Sequence, residues 1–255
     1  MSFTFSIIIP TYNASKTLAA TIESILSQTY KSFEVLIIDA LSTDNSIEII
    51  RKYNDERIKI CTGKDNGVYD AMNKGLKIAE GKYIYFLGSD DFLFDENVLQ
   101  NIFNSIEKKP CDVLYGNVLH SSNGFVYAGE FTLEKLLYIQ NICHQAIFYK
   151  KDCFEKLGDY NLQYSLLADW DFNIRCFMHP HFKINFENIV VAVYNDETGL
   201  SKDNGESDLA FMKISPHYRM RNILSELSNI KYSKEYGIGK KFYIPLRKIK
   251  YLFSK

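Results

Sequence analysis

The sequence lacks any apolar run near the roughly 18 to 20 residues that a membrane-spanning helix needs. Its opening, MSFTFSIIIPTYN, carries no basic leader, and its apolar run is too short for a secretory signal. The expected chain is soluble, or attached at most to a membrane surface. A dominant charge sign is missing too. The formal net charge of -1 gives no global pull toward nucleic acid or acidic polymers. Cysteine is sparse and unpatterned: Cys61, Cys111, Cys143, Cys153 and Cys176 form no Cys-x-x-Cys pair. That argues against a disulfide framework and against zinc-ligand spacing. It predicts reduced core thiols in a cytoplasmic protein. No internal repeat, low-complexity tract or linker divides the 255 residues, which are enough to bury one large core.

What the sequence does have is a strict alternation of element types. FTFSIIIPTYN reads as a strand stopped by Pro10 and Asn13. SKTLAATIESILSQ reads as a helix capped by Ser15, with Leu18, Ile22, Ile25 and Leu26 at helical spacing. FEVLIID is a second strand, STDNSIEIIRKYN a second helix, and RIKICTG a short third strand. GVYDAMNKGLKIAEG is helical with Gly81 as its C-cap, and KYIYFLG is a fourth strand. This order predicts the α/β class: a mostly parallel sheet with helices on both faces. In such sheets ligands bind beyond the carboxyl ends of the strands. Three predicted ends carry polar residues, namely Thr11-Tyr12-Asn13, Asp39 and Ser89-Asp90-Asp91, and these are expected to converge.

The second half is less regular. CDVLYGNVLH and GFVYAGEF read as a hairpin around residues 121–124, HQAIFYKK as a strand, and LLADWDFNIRCFM as a helix. FKINFENIVVAVYN makes one or two strands, and residues 203–229 are largely helical. Residues 230–255 form a basic tail with interleaved aromatic and aliphatic residues. The chain is read as one Rossmann-like domain over 1–229, with halves 1–110 and 111–229, plus this tail.

Taken in order, the segments IIIPTYN, IIDALSTDNS, DNGVYDAMNKGLKIAEGKYIYFLGSDD, HQAIFY, ADWDFNIR and ETGLS resemble the family 2 glycosyltransferases. These are inverting enzymes of the GT-A fold that use nucleotide-activated sugars. The resemblance covers roughly residues 3 to 201. It implies that Asp91, with Asp90, holds Mg²⁺ or Mn²⁺ against a diphosphate leaving group. Ser89 belongs to the same motif, and Asp90 also reaches the ribose. It implies that Asp39 bonds the nucleobase edge, commonly uracil. Pro10, Thr11, Tyr12 and Asn13 would hold base and ribose, and Asp65, Asp70 and Asn73 would line the donor pocket. Asp169 would be the general base and Asp171 structural, paired with Arg175. A UDP-sugar donor and a lipid-linked glycan acceptor are implied. The tail would lie on an anionic inner membrane leaflet, and no nucleic acid is expected.

Each assignment has a bland counterpart. Asp39, Ser42 or Thr43 would serve equally as a helix cap, the Asp pair as a solvated turn, and Lys74 as a solvated lysine. His144 and Gln145 read as structural residues below an acceptor pocket. Where the family usually has Asp-Gly, this chain has Ala40-Leu41. Leucine takes a positive φ less cheaply than glycine, so a different loop is expected there. Two other classes would share parts of this pattern. A nucleotidyltransferase would normally add a Gly-rich phosphate loop, which PTYNASKT lacks. A non-catalytic sugar-binding scaffold would be expected to have lost its carboxylates.

Overall fold

The computed structural model describes residues 3–127 and 129–197. The helical stretch and the tail expected beyond residue 202 lie outside the described residues. In chain order the elements are β1 (Phe5–Thr11), α1 (Leu18–Leu26), β2 (Phe33–Asp39), α2 (Ser46–Arg51), β3 (Ile58–Thr62), α3 (Val68–Ile78), β4 (Tyr83–Phe86), β5 (Phe92–Leu93) and α4 (Val98–Lys108). They continue with β6 (Val113–His120), β7 (Val126–Tyr127), α5 (Leu133–Tyr138), a 3₁₀ turn at His144–Ala146, β8 (Ile147–Lys150), α6 (Asp152–Leu157), α7 (Ala168–Met178) and β9 (Ile184–Tyr194).

The strands form one sheet in the order β3-β2-β1-β4-β8-β6-β9-β5, with β7 paired to β6. Strands β3, β2, β1 and β4 are mutually parallel, as the alternation required. β8 then runs antiparallel to both β4 and β6. β6 and β9 are parallel to each other, so the carboxyl ends of β1, β2, β4, β6 and β9 share one edge of the sheet. Being antiparallel, β8 brings its amino end, and the turn before it, to that same edge. Every residue of β2, and all of β1 but Pro10, is buried. A sheet covered on both faces buries such continuous apolar runs.

Two predicted caps are not made. Helix α1 begins at Leu18 behind Thr17, and Ser15 instead gives its backbone N–H to Asp44 Oδ2. Gly81 is not in the left-handed region, and α3 ends through Ala79 in extended backbone. A Cβ on Gly81 would come within 2.5 Å of the Ser6 amide nitrogen. The glycine is there for close approach to β1, not for a helix stop. The predicted hairpin forms from β6 and β7, and the last predicted strand is one element, β9, with register irregularities opposite Tyr115–Val118. Among the cysteines, Cys111, Cys153 and Cys176 are buried, but Cys61 is exposed on edge strand β3, so not every thiol is a core thiol.

The edge of the sheet away from the site carries a buried charge. Glu34 is fully buried on β2 and accepts hydrogen bonds from Ser6 Oγ (2.6 Å), the Glu80 N–H (2.6 Å) and Lys59 Nζ (3.0 Å). Burial raises its pKa, but these donors outweigh it and hold the carboxyl below its ordinary value. The cluster ties β1, β2, β3 and the turn into β4. Adding a methyl at Gly81 would force that junction apart. Gly81→Ala is expected to destabilise by about 1–3 kcal/mol, the usual cost of overpacking. Gly63→Ala, with nothing within 4 Å of its Cβ position, should be close to neutral. Urea unfolding of the two variants checks this.

Candidate active site

The site is assembled from the loops at the shared carboxyl edge. Thr11 and Asp39 end β1 and β2 as direct register partners. The two loops that follow are stitched together. The Asn13 N–H donates to Ser42 Oγ (2.9 Å), and Asn13 Oδ1 accepts the Thr43 N–H (2.8 Å). The Ala14 N–H donates to Ser46 Oγ (2.8 Å). Asp39 is 1% exposed, and both its oxygens lie 3.2–3.3 Å from the Ser42 N–H. That contact closes the turn around Leu41, which adopts φ +60°. The loop therefore keeps the left-handed bend expected of glycine, and leucine's extra cost of roughly 1–2 kcal/mol is borne by the surrounding hydrogen bonds. Leu41 and Tyr12 are left exposed.

The Ser89-Asp90-Asp91 turn follows β4 and is gripped from α1. Thr17 Oγ1 and Thr21 Oγ1 both donate to the Ser89 carbonyl, at 2.8 and 3.1 Å. Further along, Ser24 Oγ accepts the Leu93 N–H, and Gln28 Nε2 reaches the Asp95 carbonyl. Thr17 and Thr21, at the start of the helix, thus hold the acidic turn, while Ser24 and Gln28 hold the chain that follows it. Asp91 is 2% exposed. Its Oδ1 accepts the Asn195 N–H (2.8 Å) and its Oδ2 the amide of Gln145 (2.7 Å). Gly88 leaves the space for this carboxylate, because a Cβ there would run into Asp91 Oδ2. Burial pushes the Asp91 carboxyl up to about 7; the two hydrogen bonds oppose the rise and the charge of Asp90 adds to it. Asp90 is half-buried and accepts a hydrogen bond from Asn195 Nδ2 (3.3 Å).

Asp169, at the start of α7, is the second buried carboxylate. Its Oδ1 accepts the Tyr69 hydroxyl (2.7 Å) and its Oδ2 the Asn141 amide (2.8 Å). His144 Nδ1 lies 4.0 Å from Oδ2. Burial raises the Asp169 pKa, and His144, Tyr69 and Asn141 moderate the rise. Asp171 pairs with Arg175 Nε at 2.8 Å, the i,i+4 contact expected on a helix. Trp170 donates Nε1–H to the Leu136 carbonyl.

The remaining candidates separate. Asp65 Oδ1 accepts the Gly67 N–H, and Asp70 Oδ2 accepts the Asn66 N–H, so both shape the entry to α3. Lys74 is not simply solvated: it pairs with Asp70 (3.1 Å) and donates to the Lys64 carbonyl. Asn73 is buried and occupied by both backbone groups of Tyr160 (2.9 and 3.0 Å). Tyr69, Asn141 and Asn195 are contacts that the sequence motifs do not mark, and Gln145, read with His144 as structural below an acceptor pocket, bonds Asp91 directly. Asn195 had a signal, since it directly follows a strand's carboxyl end. Asn141 had none.

The donor set suits an open cation site. Mg²⁺ or Mn²⁺ takes one or two carboxylates and fills its other positions with water and phosphate oxygens. Asp90 and Asp91 are adjacent, and both Asp91 oxygens hold only neutral donors, so a cation would relieve a buried charge. No group of three or more His, Cys, Asp or Glu forms an all-protein cage among the described residues.

A Rossmann-like parallel half, continued into a mixed half with acidic groups gathered across the junction, is the architecture of the GT-A fold. The structure of S. aureus TarS 1–349 in complex with UDP-GlcNAc has the same fold, with a TM-score of 0.67 at 22% identity, covering 77% of this chain and 60% of that one. The chain belongs to glycosyl transferase family 2, whose sequence profile matches residues 6–186. A "PGL/p-HBAD biosynthesis glycosyltransferase" of Mycobacterium bovis is 44% identical over 216 residues, 83% of this chain and 84% of its own. The Escherichia coli enzyme WfaP, "UDP-Glc:alpha-D-GlcNAc-diphosphoundecaprenol beta-1,3-glucosyltransferase", is 43% identical over 130 residues, half of each chain.

The raised Asp91 pKa has a stability consequence. A carboxyl that is harder to ionise when folded contributes most below its unfolded value of 3.8. That contribution is lost as pH rises toward about 7. In metal-free protein, Asp91→Asn should therefore gain on wild type by on the order of 3 kcal/mol between pH 5 and 8. Thermal unfolding in chelator across that range measures it.

Proposed function

We propose that this glycosyltransferase is inverting and metal-dependent. It moves a sugar from a UDP-sugar to a hydroxyl of a lipid-linked glycan during surface-glycan synthesis. One observation carries the reading: two buried carboxylates flank the same 3₁₀ turn, Asp91 bonded by Gln145 and Asp169 4.0 Å from His144. One serves the donor's leaving group and the other serves the acceptor. The acceptor and donor classes are supported by the name of the E. coli relative, and a biosynthetic role by that of the mycobacterial one.

In this reading residues 1–110 bind the nucleotide-sugar. Asp39 meets the base through its edge N–H, with Pro10, Thr11, Tyr12 and Asn13 around base and ribose. Asp65 and Asp70 order the loop at the mouth of the pocket, with Asn73 behind them. Ser89 fixes the turn that presents Asp90 and Asp91 to Mg²⁺ or Mn²⁺. A bound cation would supply positive charge against the departing diphosphate. Residues 111–229 bind the acceptor, and Asp169 is the general base that removes its hydroxyl proton, a contribution typically worth 10²–10⁴-fold. Among the described residues no helix is long and apolar enough to cross a membrane. The basic tail, residues 230–255, would place the site at the cytoplasmic face of the membrane.

The test is a panel of UDP-, GDP- and dTDP-sugars with and without Mn²⁺, reading release of free nucleoside diphosphate. Release from a UDP-sugar that depends on the metal is expected. Wild-type turnover that is indifferent to chelator would overturn metal dependence. Asp91→Asn should lose the thermal stabilisation given by UDP plus Mn²⁺ together with turnover. Asp169→Asn should keep that stabilisation while turnover falls about 10²–10⁴-fold.

A further inference from the structure

Asp169 stands at one end of a buried network of hydrogen bonds. The Tyr149 hydroxyl on β8 donates to Asn173 Oδ1 (2.6 Å), Asn173 Nδ2 on α7 donates to Asn141 Oδ1 (2.8 Å), and Asn141 Nδ2 donates to Asp169 Oδ2 (2.8 Å). Tyr149 and Asn173 are buried, and Asn141, in the loop after α5, is half-buried. The direction of the network is fixed from its charged end. An ionised carboxylate can only accept, so Asn141 must turn its NH₂ toward it. The Asn141 oxygen then faces Asn173, whose NH₂ must point back to it. The remaining Asn173 oxygen requires the phenol of Tyr149 as its donor. Tyr69, on the other Asp169 oxygen, is not locked in this way. Its single hydroxyl hydrogen has two acceptors, Asp169 Oδ1 at 2.7 Å and the Leu166 carbonyl at 2.8 Å. The other titratable groups facing Asp169 are His144 from the 3₁₀ turn, Tyr127 from β7, Tyr160 from the chain before α7, and Cys143. Burial keeps the phenols and the thiol protonated and lowers the His144 pKa, so the ring is neutral at neutral pH.

We infer that Asn141 is a positioning residue for the general base, locked in its donating orientation by Asn173 and Tyr149, and that this network sets how readily Asp169 ionises. The inference rests on the reading of Asp169 as the base. In the step, the acceptor oxygen forms a bond to the anomeric carbon and its hydroxyl proton moves to Asp169. The bond from that carbon to the diphosphate oxygen breaks, and its electron pair leaves with the diphosphate. Asp169 can take that proton only when it is ionised beforehand. Burial opposes ionisation, and the Asn141 donor works against the burial. Without that donor the carboxyl would stay protonated to higher pH. The network also fixes the plane of the carboxylate. With Oδ2 held by Asn141 and Oδ1 by Tyr69, the second lone pair of each oxygen keeps a set direction, and no reorganisation is needed when the acceptor arrives. Tyr149 and Asn173 touch neither Asp169 nor a reacting atom in this arrangement. They act through the orientation of one carboxamide.

The test reads Asp169 in two ways on the full chain. In chelator and without donor, urea unfolding from about pH 4 to 9 follows the stability that Asp169→Asn gains over its parent. That gain grows as pH rises above the unfolded value of 3.8 and levels once the folded carboxyl is ionised. In an Asn141→Ala parent the levelling should move up by about one pH unit or more, and in a Tyr149→Phe parent by less. With Mn²⁺ and UDP-glucose or UDP-N-acetylglucosamine, the acid limb of UDP release should move up in step, while calorimetric affinity for UDP plus Mn²⁺ stays unchanged. Tyr149→Phe should add no further shift in an Asn141→Ala background, because it acts through Asn141. If Asn141→Ala loses stability equally at every pH, with neither levelling nor acid limb moved, Asn141 is a packing residue and the inference is overturned. Shifts of the two variants that add in full overturn it as well. A wild type that releases no UDP from either sugar counts against the transferase reading instead, and the unfolding measurement still decides the role of Asn141.

Discussion

The active edge depends on one strand running against its neighbours. β8 lies between β4 and β6 and is antiparallel to both, so its amino end meets their carboxyl ends. The turn that precedes it, His144–Ala146, is 3₁₀, with three residues per turn. Successive side chains then point about a third of a turn apart. His144 goes toward Asp169 while Gln145 goes toward Asp91. The backbone of the same turn is pinned from below, since the Tyr85 hydroxyl donates to the Gln145 carbonyl at 2.9 Å. A parallel strand in that place would put this turn at the opposite edge of the sheet.

The second constraint is the cost of burying carboxylates. Asp39, Asp91 and Asp169 are each under 7% exposed. The hydrogen bonds identified to Asp91 and Asp169 come from uncharged groups: a backbone N–H, amide side chains and a phenol. Neutral donors offset desolvation only in part, and both carboxyls remain harder to ionise than usual. Two residues on from Asp169, Arg175 meets Asp171 directly, and the guanidinium continues to the Leu157 and Asp159 carbonyls. One aspartate of the Asp169-Trp170-Asp171 segment is paired with a cation within the fold, and the other is held by uncharged donors.

The loops at this edge are not loose. The loop after β1 and the loop after β2 hold each other through Asn13, Ser42, Thr43, Asp44 and Ser46. The acidic turn is held by α1, and Asn195 links it to the end of β9. On the far side of Asn195, Asp196 accepts hydrogen bonds from Ser121, Ser122 and His120 at the β6–β7 hairpin. The Ser122 hydroxyl is the main reason its carboxyl is held well below the usual range. Residues far apart in sequence therefore set the position of Asp90 and Asp91, and rigid placement of this kind is what a transfer reaction needs.

The sequence by itself determined the class of fold and the edge at which the site lies. Continuous apolar strands alternating with amphipathic helices admit few arrangements, and the polar residues at Thr11, Asp39 and Ser89–Asp91 marked the strand ends. The Asp171–Arg175 pair was legible for the same reason, because helical spacing is local. Tertiary structure alone decided what those side chains meet. The reversal of β8, the contact between Tyr69 and Asp169 across 100 residues, and the turning of Asn73 into the Tyr160 backbone have no local signature. Gly81 and Leu41 make the same point in the backbone. One looked like a helix stop and is a point of close approach; the other looked unsuited to a left-handed turn and adopts it. Local preferences amount to about 1 kcal/mol each, and hydrogen bonds supplied from elsewhere in the chain are large enough to override them.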